Sequence, residues 1–170
     1  MVLHLVGDLH QPLHAADNHD QGGNCERVRY ATAGLFGLRG FWGSRPKVTS
    51  LHSYWDTTAV QALGSDSMTI SQKLRQGITR DQVLAWSVGT PDDWASQSFE
   101  IAREKVYAFG GPAECGRGRV TSLSAGYANS AQKIVVIQLE RGGVRLATEL
   151  NRALSSDGQK HADLRLQRGR

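Results

Sequence analysis

Apolar residues recur every three to four positions along most of this chain, the spacing that turns one side of an α-helix toward a core. In LHSYWDTTAVQAL, Leu51, Tyr54, Trp55 and Val60 fall near one helical face, and Gly64 stands where a left-handed cap would close the element. Two short helices are predicted over Ser71 to Gly77 and Thr79 to Val88, the second opened by Thr79 as N-cap with Asp81 in its first turn. Thr90 can cap a further helix, Pro91 suits its first position, and Asp92 and Asp93 sit at its positive dipole end; apolar spacing carries it to about Tyr107. The longest candidate runs from Ser124 to Leu154. Gly142-Gly143 interrupts it at a cost on the order of 1 kcal/mol per Gly against Ala, which predicts a bend or a close helix approach.

Two stretches break the pattern. FGGPAECGRG, from Phe109 to Gly118, reads as a loop. Gln21 to Ser50 has no helical period, and Val28, Tyr30 and the Gly-rich LFGLRGFWG leave room for a short hairpin within 25–50. The expected fold class is all-α: a multi-helix, bundle-like domain over 1–154, without internal repeats, followed by a polar, solvated and disordered tail over 155–170. Trp55, Trp86 and Trp94 stand at helical spacings and are expected in the core.

Composition narrows the class. A chain of 170 residues with 39% hydrophobic and 21% charged residues fits one globular domain able to bury a core, which excludes disorder as its main state. No apolar run approaches the roughly 18 to 20 residues of a membrane span. His4 and Asp8 interrupt the short apolar stretch at the amino terminus, which has no basic leader and does not read as a signal peptide. The net charge of +4 is far from that of a dedicated DNA binder.

The candidate chemistry lies in two clusters: His4, Asp8 and His14 in HLVGDLHQPLH, and His52 and Asp56 in HSYWD. His4 and Asp8, like His52 and Asp56, are spaced i, i+4, so on a helix each pair projects from one face. Imidazole nitrogen and carboxylate oxygen are donors that zinc accepts, and catalytic zinc sites use three of them. Either pair alone reads more readily as an ion pair on a solvated face than as a ligand pair; two pairs and a third His strengthen the metal reading. Pro12 disfavours a regular helix between His10 and His14, and His10 reads as structural. His19 belongs to the turn-like DNHDQGGN and is expected exposed. Gly22-Gly23-Asn24 is ordinary turn vocabulary by itself.

HLVGDLHQPLHAADNHDQGGN followed by LHSYWD closely resembles the core signature of the S1/P1 nuclease family, and QSFEIAREKVY and VVIQLERGGVRLATELN resemble its carboxyl-terminal helices. The similarity covers about Leu3 to Leu154. It implies a helical domain of the phospholipase C/P1 nuclease fold holding three zinc ions. By resemblance, His14, His52 and Asp56 match the protein ligands of one zinc, and His4 and Asp8 match half the ligands of a second, Asp8 also bridging to the third. Asn24 matches the asparagine that positions the scissile phosphate, which makes Asp8 and Asn24 the expected catalytic residues. The implied substrates are RNA, single-stranded DNA and 3'-nucleotides; the implied location is secreted or periplasmic, and no obligate protein partner is implied.

The family's amino-terminal Trp, the His after it, and a further Asp and His have no counterpart here. An upstream section is therefore expected to be absent, with His4 at a frayed end and Leu3, Leu5 and Val6 exposed. Tyr30, Phe36, Phe41 and Trp42 are candidates for stacking on exposed bases. Cys25 and Cys115 lie in two predicted loops and can pair in an oxidising compartment, or stay as free thiols. Two rival readings stand beside the nuclease: phospholipase C-like hydrolysis of lipid head groups, and a fragment that binds one structural zinc and does no chemistry.

Overall fold

A 30-residue helix, α7 (Ala125–Leu154), is the element against which α1 (Val2–Leu9), α3 (Ala59–Gln61), α4 (Ser67–Gly77) and α5 (Arg80–Trp86) all pack. The computed structural model describes residues 2–31, 46–109, 115 and 118–155. Between α1 and α3 the chain passes through a 3-10 turn (Pro12–His14), two strands, β1 (Arg27–Tyr30) and β2 (Lys47–Ser50), and α2 (Leu51–Ser53). A π-helical turn, Tyr54–Thr58, joins α2 to α3. The helix α6 (Pro91–Ile101) ends in a second π turn, Ala102–Val106, and packs on α1 and the 3-10 turn.

Local chemistry sets most boundaries. The Thr79 side chain accepts from Gln82 N–H while the Gln82 side chain accepts from Thr79 N–H, and Thr90 and Asp93 make the same reciprocal pair before Pro91. Ser124 caps α7 by accepting from Tyr127 N–H. The first of the two expected short helices begins earlier than Ser71, because Asp66 caps it and accepts from Thr69 N–H. Gly64 closes the preceding stretch at φ 149° and not in the left-handed cap conformation expected of it. That backbone suits glycine, and a Cβ there would meet Ile70 at 3.3 Å.

Among the described residues the helical architecture carries one small sheet, ordered β2-β1-β3. β1 and β2 form the hairpin, antiparallel with Arg27 opposite Ser50 and Tyr30 opposite Lys47. The third strand, β3 (Val120–Ser122), was not expected; it lies parallel to β1 with Arg27 opposite Val120. Val28 from this sheet joins Leu13, Leu51, Tyr54, Trp55, Ala59, Ala102, Val106, Ala131 and Val135 in the buried core. Burial of such side chains contributes about 1.5 to 3 kcal/mol each for the larger aliphatic ones.

α7 runs without a break through Gly142-Gly143, and the close approach is real: the His10 ring lies 3.4 Å from where a Gly142 Cβ would stand. His10 is buried, hydrogen-bonded to Val6 O at 2.7 Å through Nδ1 and to Arg145 at 2.7 Å through Nε2. Gln138 donates to His10 O at 3.0 Å, and Ser98 Oγ donates to Leu9 O. The corner between α1 and the 3-10 turn is thus fastened to α6 and α7. Removal from water lowers the His10 pKa below its ordinary value, and the positive charge of Arg145 adds to the effect.

Two expectations on burial are corrected. Trp55 and Trp94 are buried, but Trp86 is half-buried, because α5 buries no residue fully; its ring lies beneath Arg141 at 5.8 Å. Leu3 and Leu5 are exposed as expected, whereas Val6 turns toward α7 and is buried. Tyr30 packs edge-on against Tyr54 and its hydroxyl accepts from Thr58, so its ring is tied into the core's margin. Phe36, Phe41, Trp42 and the tail beyond Ser155 lie outside the described residues.

Candidate metal centre

The residues of the centre come from three segments held together by backbone hydrogen bonds. Pro12 opens the 3-10 turn that carries His14, and Gln11 caps it, its side chain accepting from Leu13 N–H at 2.6 Å. Ser50 caps α2, accepting from Ser53 N–H, and so begins the helical run on which His52 and Asp56 stand about one turn apart. Between these segments passes the loop through Gly22 and Gly23. Gly23 O accepts from His52 N–H at 3.2 Å, and Gly22 O lies 2.7 Å from His52 Nδ1.

Both glycines are required by this approach. Gly22 and Gly23 take φ 62° and 84°, and Cβ atoms there would meet Leu13 O at 3.0 Å and His52 N at 3.2 Å, respectively. The loop is anchored from inside by Asp20, which is fully buried: its Oδ1 accepts from Gly23 N–H at 2.8 Å and from the Tyr107 hydroxyl at 2.9 Å. Burial, and next the bond to Asp20, push the Tyr107 hydroxyl well above the ordinary tyrosine pKa, so it remains a donor. Just after the loop, Cys25 and Cys115 form a disulfide, which decides between the paired and free states left open by the sequence.

His14, His52 and Asp56 converge: each offers a ligand atom, and the three atoms lie within 4.8 Å of one another. The two imidazoles stack with centroids 5.2 Å apart and planes inclined by 24°. His52 Nε2 is 3.2 Å from Asp56 Oδ2, and His14 Nε2 is 3.6 Å from Asp56 Oδ1. Because a carbonyl can only accept, Gly22 O places the His52 proton on Nδ1 and leaves the Nε2 lone pair facing the cluster. Two imidazole nitrogens and a carboxylate oxygen, with one tautomer set by a backbone carbonyl, fit the donor set and outer-shell support of a zinc site.

Asp8 and His4 extend the centre without closing a second triad among the described residues. Asp8 stands between two imidazoles, with Oδ1 3.6 Å from His14 Nδ1 and Oδ2 3.2 Å from His4 Nε2. The His4 side chain is 79% exposed, near the start of α1. Asn24 is exposed and donates to Gln21 O at 2.9 Å; its amide keeps a second N–H. His19 is exposed at φ 60° and takes no part. A cavity of about 490 Å³ opens beside the cluster, with Asp8, His14 and Asp56 on its polar side and Trp55, Val135 and Leu139 on its apolar side.

The sequence profile of the family S1/P1 Nuclease matches residues 1–155. The chain belongs to the S1/P1 nuclease family. Relatives include Endonuclease 4 of Arabidopsis thaliana, 32% identical over 94% of this chain and 50% of its own length. Endonuclease 2 of the same plant is 31% identical over 89% of this chain and 49% of its own length. Nuclease S1 of Aspergillus oryzae is 25% identical over 88% of this chain and 52% of its own. This S1/P1 family chain therefore spans about half the length of the curated relatives it matches.

Gln11 and Asp20 are the contributors that sequence reasoning passed over. Gln11 donates from Nε2 to Asp56 Oδ1 at 2.7 Å. Its place beside Pro12 in QPLH was the only local signal, and a Gln is an uncommon cap. Asp20 gave no signal beyond the turn-like composition of its segment.

Proposed function

We propose that this chain carries the zinc-binding residues of a nuclease that hydrolyses phosphodiester bonds in RNA and single-stranded DNA and removes the phosphate of 3'-nucleotides. The observation that carries the reading is the convergence of His14, His52 and Asp56, with the His52 tautomer set by Gly22 O. Those three residues would hold one zinc; His4 and Asp8 would contribute to others. Bound zinc supplies Lewis acidity, making water acidic enough to attack near neutral pH and opposing the negative charge that develops on phosphate oxygens.

The chain's own groups supply position. Asp8 reaches toward both His4 and His14, which suits a carboxylate shared between neighbouring ions. Asn24 keeps one amide N–H free to donate to a phosphate oxygen, a neutral donor that does not compete for metal. The cavity beside the cluster has the volume of a small-molecule site and an apolar wall suited to a nucleoside. The disulfide supports a place outside the cytosol, secreted or periplasmic.

Zinc analysis of the purified chain, paired with cleavage assays on single-stranded DNA and on phosphatidylcholine vesicles, tests the proposal. Zinc-dependent cleavage of DNA that a chelator abolishes is the expected result. A chain that binds no zinc, or that hydrolyses only the lipid, overturns it. The exposure of His4 favours one second reading, a single structural zinc without chemistry. It predicts about one zinc per chain and no cleavage.

A further inference from the structure

The zinc ligands do not orient themselves. The Asp56 side chain is 38% exposed, and rotation about its terminal torsion is broad and roughly two-fold, so either oxygen, or both, could be offered to an ion. We propose that Gln11 is a positioning residue for the metal centre: its amide holds Asp56 Oδ1 and thereby presents Oδ2, beside His52, as the ligand oxygen. The inference rests on the zinc reading above and deepens it.

The hydrogen bonds fix which end of the amide faces which partner. Pro12 has no N–H, so the first backbone donor of the 3-10 turn is that of Leu13, and it points at the Gln11 side chain at 2.6 Å. Only the amide oxygen can meet that donor, which leaves Nε2 on the other side, 2.7 Å from Asp56 Oδ1. The remaining oxygen, Oδ2, is the one 3.2 Å from His52 Nε2. Nothing in this arrangement depends on an alternative amide flip.

One side chain thus acts on two ligands in separate segments: its oxygen caps the turn that carries His14, and its nitrogen orients Asp56, 45 positions further along the chain from Gln11. A neutral donor suits the task. Lys or Arg in its place would form an ion pair with Asp56 and draw the carboxylate's charge away from the metal, whereas an amide directs one lone pair and leaves the net charge intact. Outer-shell hydrogen bonds of this kind commonly govern metal affinity at a level of about 10- to 100-fold.

Two variants separate orientation from capping. Gln11→Met removes both hydrogen bonds; Gln11→Ser retains an oxygen at the cap but cannot reach Asp56. Zinc affinity, measured on the 170-residue chain by competition with a chromophoric chelator, is expected to fall about tenfold or more in both variants. The melting temperature of the metal-free protein should fall in Gln11→Met and hold in Gln11→Ser. With cobalt(II) as probe, both variants should show altered visible absorption as the carboxylate changes its mode of binding. Wild-type affinity and an unchanged cobalt spectrum in Gln11→Ser would overturn the assignment of Gln11 alone. A wild-type chain that takes up neither metal would overturn both this assignment and the zinc reading beneath it.

Discussion

Nδ1 of His52 lies 2.7 Å from the carbonyl oxygen of Gly22, thirty positions earlier in the chain. This bond makes the tautomer of a proposed metal ligand depend on a loop that contributes no side chain to the triad. The loop in turn is fixed by Asp20 and Tyr107 from within, by the Cys25–Cys115 disulfide at its end, and by glycine conformations that L residues rarely adopt. Glycine at 22 and 23 is thus part of the centre's construction: a backbone without side chains can lie against Leu13 and His52 closely enough to direct the ring.

His52→Ala removes the ligand on which this arrangement converges. Zinc affinity should fall by more than the roughly 100-fold that outer-shell changes reach, and the zinc content of the dialysed protein should drop by one ion per chain. Gly23→Ala tests the loop separately. Its φ of 84° and the 3.2 Å approach to His52 N predict a loss of stability of about 2 kcal/mol, together with weaker zinc binding although no ligand is changed. Calorimetry and metal analysis check both; full zinc content in His52→Ala would remove it from the ligand set.

What could be read from the sequence was what is local. The caps at Thr79 and Thr90 depend on partners three residues away, and the i, i+4 spacing of His52 and Asp56 survives the π turn that begins between them. The start of α4 was not legible from apolar spacing because that helix buries no residue, and Met68 in its first turn is 64% exposed. α5 misled for a related reason: helical spacing at Trp86 gives a face but not what covers it. β3 has only three residues, and its partner β1 lies far earlier in the chain, so no short window contains the pairing. Gln11 escaped notice because its partner, Asp56, is 45 residues away.

Reduction of Cys25–Cys115 should destabilise the chain strongly. The bridge joins residues 90 apart, and the loop-closure argument gives about 4 to 5 kcal/mol for a loop of that length. Denaturant unfolding with and without reductant, and of Cys25→Ser with Cys115→Ser, measures it. The expected result is a lower midpoint in the reduced protein and in the double variant. Equal midpoints would show that the cross-link constrains little of the unfolded chain.

Acid should weaken the start of α6. Asp93 accepts from the Thr90 backbone N–H and hydroxyl, and these bonds, the backbone one first, hold its carboxyl below the ordinary value of 3.8. A carboxyl whose folded pKa is depressed stabilises the fold fully above its unfolded pKa, and that contribution is lost as pH falls through the folded value. Asp93→Asn should therefore be less stable than wild type near neutral pH, and the gap should close below about pH 3.8 as the wild-type carboxyl is protonated. Thermal melts of both proteins across that range check the sign. A gap independent of pH would mean that the carboxylate charge contributes nothing there.

The two glycines inside α7 should respond differently to the same substitution. In a helix interior Ala is favoured over Gly by about 1 kcal/mol, because the glycine backbone loses more freedom on folding. At Gly143 an added Cβ meets nothing within 4 Å, so Gly143→Ala is expected to stabilise the chain by about 0.5 to 1 kcal/mol. At Gly142 the same methyl would sit 3.4 Å from His10 Cγ and 3.5 Å from His10 Nδ1. His10 has little room to move, since Arg145, Val6 O and Gln138 all hold it. Gly142→Ala should therefore gain less than Gly143→Ala. Any shift of His10 would be passed to Asp8 and Gln11 on either side of it and read as weaker zinc binding. Paired melts and zinc titrations of the two variants decide the point: equal stabilisation with unchanged zinc affinity would show that the contact between α7 and His10 sets neither.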